Sequence, residues 1–230
     1  MQKEITMAML SNIELLLRVP LFSSMSPEQA DVVASAVTKQ RYKRAETIVE
    51  QGTKSNALFI VLSGRARVLT TDSRGREVIL ANLQMGDYVG EMSLIDNEPH
   101  SATVQTETLV DCLVLGRTEF DHCLEGNTAM ARAVMVGLVK RLRRADQKIE
   151  SLALMDVYGR VAHVLLEAAT PDSEGQMVIR DKISRQDLAK MVGASREMVS
   201  RVMKDLEDRG YVEGHENGST RIRPVLSSLT

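Results

Sequence analysis

Apolar positions along this chain change their period in order, and each change predicts a different kind of element. Between residues 11 and 37 the spacing is helical. Ser26-Pro27-Glu28 reads as a helix start, and Ala30, Val33, Ala34 and Val37 follow on one face. From 38 to 116 the chain breaks into short β-rich runs at 57–62, 66–70, 78–83, 102–106 and 108–115. Turn signals separate them, including Gln51-Gly52, Ser63-Gly64, Ser73-Arg74-Gly75 and Met85-Gly86-Asp87. Many short strands at this spacing predict a small antiparallel barrel or roll. After Thr128 the apolar residues Ala131, Met135, Leu138, Leu142, Ala145, Ile149 and Leu152 step by three and four in alternation. That period predicts a coiled-coil seam, hence a helix pair and most simply a two-fold homodimer. The charged neighbours Lys140, Arg141, Arg143, Arg144, Asp146, Lys148 and Glu150 read as solvated flanks of that seam. A helix packed along its own domain is the alternative.

Asp156 begins a further helix through about Ala169, and 170–176 reads as a loop. Residues 184–207 then predict two short helices joined at Gly193. Leu188 and Val192 line one face of the first; Val199, Val202, Met203 and Leu206 line one face of the second. Short strands at 211–213 and 221–223 around a 214–220 hairpin predict a β wing beside the second helix. A helix that buries one stripe and presents the other to a groove is the helix-turn-helix arrangement.

The polar stripe fits that use. Arg196 and Arg201 offer forks to guanine O6 and N7, and Glu197 accepts from a cytosine amine. Ser195 is the expected N-cap, which places free N–H groups toward phosphate. Arg185 and Gln186 open the preceding helix and would hold backbone phosphates, positioning rather than specifying. An ordinary helical hairpin with a solvated face is the competing reading.

Bulk properties narrow the picture. With 230 residues the chain suits one large or two modest domains. A net charge of −2 excludes a general electrostatic affinity for nucleic acid. Residues 181–230 hold nine lysines and arginines against eight acids, so recognition must rest on a few placed side chains and on dimerisation. No apolar run is long enough for a bilayer, and the N-terminus lacks a secretory signal. Cys112 and Cys123 have no metal-like spacing and read as buried small hydrophobes in a reducing cytoplasm. These features predict a cytoplasmic protein with no membrane partner. No Gly-x-Ser-x-Gly, phosphate-loop or His-Glu-x-x-His pattern occurs, so no catalytic residues and no enzyme are expected. Two cysteines cannot hold an iron–sulfur cluster, and no metal site is expected.

The order of roll, long helix and winged helix-turn-helix resembles the cyclic-AMP receptor protein and FNR family of bacterial transcription regulators. The resemblance spans nearly the whole chain. It is carried by Gly90-Glu91-Met92-Ser93-Leu94 with Ser101-Ala102, by residues 152–160 (LALMDVYGR), and by Val192-Gly193-Ala194-Ser195-Arg196-Glu197. It implies an α+β chain in three parts: an effector-sensing β-roll of cyclic-nucleotide-binding type at 1–126, a dimerisation helix and hinge at 127–155, and a winged helix-turn-helix DNA-binding domain at 156–230. Arg196, Glu197 and Arg201 fall at the family's base-reading positions, and Arg185, Gln186 and Lys204 at or near its phosphate contacts. The implied partners are a near-palindromic double-stranded site, a second copy of the chain and RNA polymerase, for which 170–176 is a candidate surface. Reading helices would stand about 34 Å apart, moved by a hinge near residues 154–157.

The resemblance also implies an effector site, with no covalent cofactor. In cyclic-nucleotide members the Gly-Glu element ends a strand, backbone N–H groups and an Arg-Ser pair hold phosphate, and Glu takes a ribose hydroxyl. Here Gly90, Glu91, Met92 and Ser101 stand in that element, but His100 occupies the arginine position. A neutral imidazole supplies one donor and no dependable charge. The adenine-contacting hydroxyl positions of the dimer helix are Ala145 and Asp146. A carboxylate at 146 offers two acceptors to the two donors of a guanine edge, and Arg143 and Arg144 could stack on a base or meet phosphate. The effector expectation is therefore a cyclic nucleotide, with cyclic di-GMP ahead of cyclic AMP. A ligand-independent binder with a degenerate sensor pocket is the third reading.

Overall fold

The computed structural model describes residues 12–17, 19, 21–23, 25–215 and 219–229. These fall into two compact units. The first holds the described residues up to Gly75 with Leu80–Arg141, the second Arg76–Ile79 with 142–229.

The first unit opens with helices α1 (Asn12–Leu17) and α2 (Pro27–Ala36). The single helical stretch expected over 11–37 is two helices, and residue 11 lies outside the described residues. Ser26 caps α2 in a capping box with Gln29. The roll follows: β1 (Thr38–Tyr42), β2 (Thr47–Val49), β3 (Ala57–Ser63), β4 (Ala66–Thr71), β5 (Glu77–Leu83), β6 (Tyr88–Val89), the short helix α3 (Glu91–Asp96), β7 (Thr103–Thr106) and β8 (Val110–Gly116). They form two four-stranded sheets, ordered β1-β8-β3-β6 and β2-β7-β4-β5. Val61, Ala66, Leu83, Val89, Val104 and Val110 form one apolar layer of the roll. On its other side Leu58, Ile60, Leu113 and Leu115 pack with α1, α2 and the next helix, α4 (Arg117–Gly126).

Helix α5 (Thr128–Leu154) begins at the residue from which the seam was counted. Its first half carries a second apolar stripe that the seam pattern does not show. Met130 and Val134 are buried in the core of the first unit. Residues 130, 134, 137 and 141 recur at four, seven and eleven, so they share one face of the helix. Of the seam residues, Leu138 is half-buried against that core, while Met135 is 58% exposed, Leu142 62%, Ile149 64% and Leu152 50% within the single chain.

The second unit is built on α6 (Val157–Ala168), which Asp156 caps through a 2.8 Å bond from the N–H of Gly159. Then come β9 (Thr170–Pro171), β10 (Met177–Ile179), α7 (Arg185–Val192), α8 (Arg196–Asp208), β11 (Val212–Gly214), β12 (Thr220–Ile222) and a 3-10 turn at Pro224–Leu229. The wing strands join the ends of the expected loop in one sheet, β11-β12-β10-β9. Residues 216–218 of the wing hairpin lie outside the described residues. Leu165, Leu188, Val192, Val199, Met203, Leu206 and Ile222 form its core. Among the described residues no helix is long and apolar enough to cross a membrane.

Candidate effector and nucleic-acid sites

The candidate effector shelf begins where β6 ends. Gly90 takes a φ of +99°, a region that disfavours other residues, and a Cβ there would sit 2.5 Å from the carbonyl oxygen of Ala57. The turn lets Glu91 open α3, so the Gly-Glu element is a strand end followed directly by a helix. Arg117 holds that helix in place, donating to the carbonyls of Leu94 at 2.7 Å and Ser93 at 3.0 Å.

Glu91 is fully buried. Its Oε1 accepts from Nη1 of Arg141 at 2.5 Å. The second arginine nitrogen, Nη2, donates to the backbone oxygen of Tyr88. The Arg141 guanidinium also lies over the Tyr88 ring, 5.1 Å from its centroid. Burial pushes the Glu91 carboxyl above the usual carboxylate range, and the charge of Arg141 opposes the shift. Its other oxygen, Oε2, makes no hydrogen bond among the described residues, and neither does the buried hydroxyl of Tyr88. Buried polar atoms are almost always partnered. Oε2 of Glu91 is thus a buried acceptor open to a donor, beside an arginine already paired through Oε1.

The other expected effector residues are placed as follows. His100 is buried, and its backbone is locked to the opposing turn through Thr53 and Gly52. Its Nε2 is 2.8 Å from Oγ of Ser55. Burial holds its pKa below the usual value, so the ring is neutral at pH 7. Met92 and Ser101 are exposed. Arg143, Arg144 and Asp146 are exposed on α5 and make no hydrogen bond or ion pair among the described residues. The structure brings Glu91 together with Arg141 instead, a residue that the charge pattern reads as a solvated flank. Tyr88 and Gly137 belong to the same cluster, and sequence reasoning misses both. The signal that could have found them is the second stripe of α5, which ends on Gly137 and Arg141.

The nucleic-acid side follows from local chemistry. Ser184 caps α7, its Oγ accepting from the N–H of Asp187 at 3.0 Å. Gly193 ends that helix at φ +65°, giving the tight turn. Ser195 then caps α8, accepting from the N–H of Met198 at 3.2 Å. Val199, Met203 and Leu206 are buried, which leaves Arg196, Glu197, Arg201 and Lys204 on the exposed side. Gln186 is exposed, and Arg185 pairs with Glu207 at 2.5 Å. Ser184, Arg185, Gln186, Arg196, His215 and Thr220 line a cleft of about 500 Å³ between the two helices and the wing. Cations, a helix start and an open cleft on one side form a surface suited to duplex phosphate and base edges.

A β-roll with a buried Gly-Glu turn, joined by a long helix to a winged helix-turn-helix, defines a ligand-sensing DNA-binding regulator. Comparison with known proteins agrees. Residues 39–127 match the cyclic nucleotide-binding domain and residues 159–224 the Crp-like helix-turn-helix domain. The chain is similar to the cAMP-activated global transcriptional regulator CRP of Escherichia coli, 32% identical over 181 residues, which cover 76% of this chain and 85% of that one. It is 33% identical to the cAMP-activated global transcriptional regulator Vfr of Pseudomonas aeruginosa over 193 residues, 80% of this chain and 88% of that one. Among solved structures, the c-di-GMP responsive global regulator CLP of Xanthomonas campestris shares the fold, with a TM-score of 0.73, 24% identity and coverage of 86% and 98%. The chain belongs to the CRP/FNR family of transcription regulators.

Proposed function

We propose that this chain is a homodimeric, cytoplasmic regulator whose grip on a near-palindromic DNA site is set by a cyclic nucleotide seated at Glu91. One observation carries the effector reading: the sealed carboxylate, with Oε1 held by Arg141 and Oε2 without a donor among the described residues. A sugar hydroxyl supplies that donor, and the arginine beside it supplies the counter-charge for a phosphate. Gly90, Met92, His100 and Ser101 complete the roll side of the site. Arg143, Arg144 and Asp146 are the proposed base and phosphate contacts.

Cyclic di-GMP is the first candidate. His100 stands where a cyclic-AMP binder of the family carries an arginine, and its buried, neutral ring brings no cation to a phosphate. Asp146 offers the acceptor pair that a guanine edge needs and an adenine edge does not. Cyclic AMP is the second reading, supported by what the relatives at 32% and 33% identity are named for. On the nucleic-acid side, Arg196, Glu197 and Arg201 read bases from the start of α8, which Ser195 caps, while Arg185, Gln186 and Lys204 hold phosphates. RNA polymerase is the proposed protein partner.

Calorimetry on the full chain tests the effector, with DNA retention measured alongside. Heat with cyclic di-GMP that disappears in Glu91→Ala, together with tighter DNA binding in its presence, is the expected result. Heat with cyclic AMP alone reverses the order of the two nucleotides. Silence toward both, with DNA binding intact, leaves a ligand-independent regulator.

A further inference from the structure

Tyr88 stands two residues before the Gly90 turn, and its hydroxyl is buried with no hydrogen bond among the described residues. Burial of the ring raises its pKa. The hydroxyl lies in the space that a Cβ at residue 137 would fill, and such a Cβ would come 3.2 Å from Cζ and 3.9 Å from Cε1 of the ring. Gly137 is in the interior of α5, where glycine is a poor helix former and alanine the best. The helix thus carries its least favourable ordinary residue at the point where the phenol enters it. One turn further, on the same face, Arg141 leaves the helix, covers the Tyr88 ring and donates to the Tyr88 carbonyl while it holds Glu91.

We infer that Tyr88, keyed into the notch at Gly137, is a positioning residue for the effector site: it fixes the height of α5 against β6 so that Arg141 meets only one oxygen of Glu91. The chain of contacts is short. The ring in the notch sets how close the helix backbone comes. That distance sets where the guanidinium sits, and the guanidinium leaves Oε2 of Glu91 for a ligand donor. The inference rests on the effector reading above and deepens it, assigning the control of affinity to two residues that need not touch the nucleotide.

Three variants of the full chain test it: Gly137→Ala, Tyr88→Phe and the double variant. Two measurements are made on each, melting temperature without ligand and calorimetric affinity for cyclic di-GMP and cyclic AMP. In an unobstructed helix, Gly→Ala raises melting temperature. Here Gly137→Ala is expected to lower it and to weaken nucleotide binding about tenfold or more. Tyr88→Phe takes away the hydroxyl that fills the notch, so α5 loses its stop and affinity should fall about threefold or more. In the double variant the missing hydroxyl makes room for the methyl, with the ring yielding a few tenths of an ångström. Alanine should now raise melting temperature relative to Tyr88→Phe, and affinity should return to within about threefold of the parent.

A rise in melting temperature for Gly137→Ala alone overturns the notch. A fall with unchanged nucleotide affinity overturns the positioning role. Failure of Tyr88→Phe to rescue Gly137→Ala overturns the keyed contact. If the parent chain binds neither nucleotide, the effector reading has failed. Reversal of the alanine effect between the parent background and the Tyr88→Phe background still decides whether the contact exists.

Discussion

Arg196 and Glu91 are set in opposite ways, one side chain displayed and the other sealed. Arg196 is the first residue of α8, exposed directly after the Ser195 cap, so its guanidinium leaves the helix at its N-terminal end, the end proposed to read bases. Arg196→Ala should cost about 1–3 kcal/mol on the cognate site and relax base choice at one position. Titration against cognate and random duplexes at one salt concentration measures it, and equal loss on both would reduce the residue to a phosphate contact. Glu91 works in the opposite way. Its carboxylate is out of water, so it must be held by Arg141, fifty residues away. The exposed face of α8 was legible because caps and i, i+4 spacing are local. Arg141 was not, because a cation on an amphipathic helix looks solvated until the opposite wall is known.

At the level of elements, β1 illustrates what periodicity misses. Its residues Thr38-Lys-Gln-Arg-Tyr42 are exposed except the last, which packs into the roll core, and the strand is the edge of its sheet, paired with β8 alone. A strand with little to bury shows no alternation to read. Its tie is polar. Arg41 stands opposite Asp111 in the register and forks onto its carboxylate at 2.6 and 3.1 Å. The Arg41 hydrogen bond, ahead of all other causes, holds Asp111 below the ordinary aspartate value of 3.8. A depressed acid stabilises the fold above its unfolded pKa, and the contribution fades as pH falls through the lower folded value. Asp111→Asn should therefore lower stability near pH 7 by up to about 1 kcal/mol, the pair being partly exposed. The gap should close as the pH falls below 3.8 and through the lower folded value. Melting curves across that range check it, and a gap independent of pH would mean that the carboxylate's charge is not involved. The short helix α3 escapes a sequence reading for a related reason: it has six residues and starts from a left-handed glycine, too brief for a period to declare itself.

For the molecule as a whole, α5 carries the candidate assembly surface. Met135, Leu142, Ile149 and Leu152 leave an apolar stripe exposed on the single chain, at the spacing of a two-stranded seam. Leu142→Asp should convert the proposed dimer to a monomer, because the charge would enter the seam twice across a two-fold axis. Sedimentation velocity reads this directly, and a variant that still sediments as a dimer would place the interface elsewhere. Loss of the dimer should also weaken binding to a two-half-site duplex far more than to one half-site.

The amino-acid order alone determined the roll's main strands, the apolar heptad pattern of α5, the Gly193 turn and Ser195 cap of the helix-turn-helix and the exposed cations of its second helix. Each is written in neighbours a few residues apart, where backbone geometry and burial leave a repeating trace. The tertiary structure alone decided that Arg141 serves Glu91, that Tyr88 enters the helix at Gly137, and that Arg41 finds Asp111. Those partners are separated by dozens of residues, and a period says which face of an element is apolar without saying what will be pressed against it.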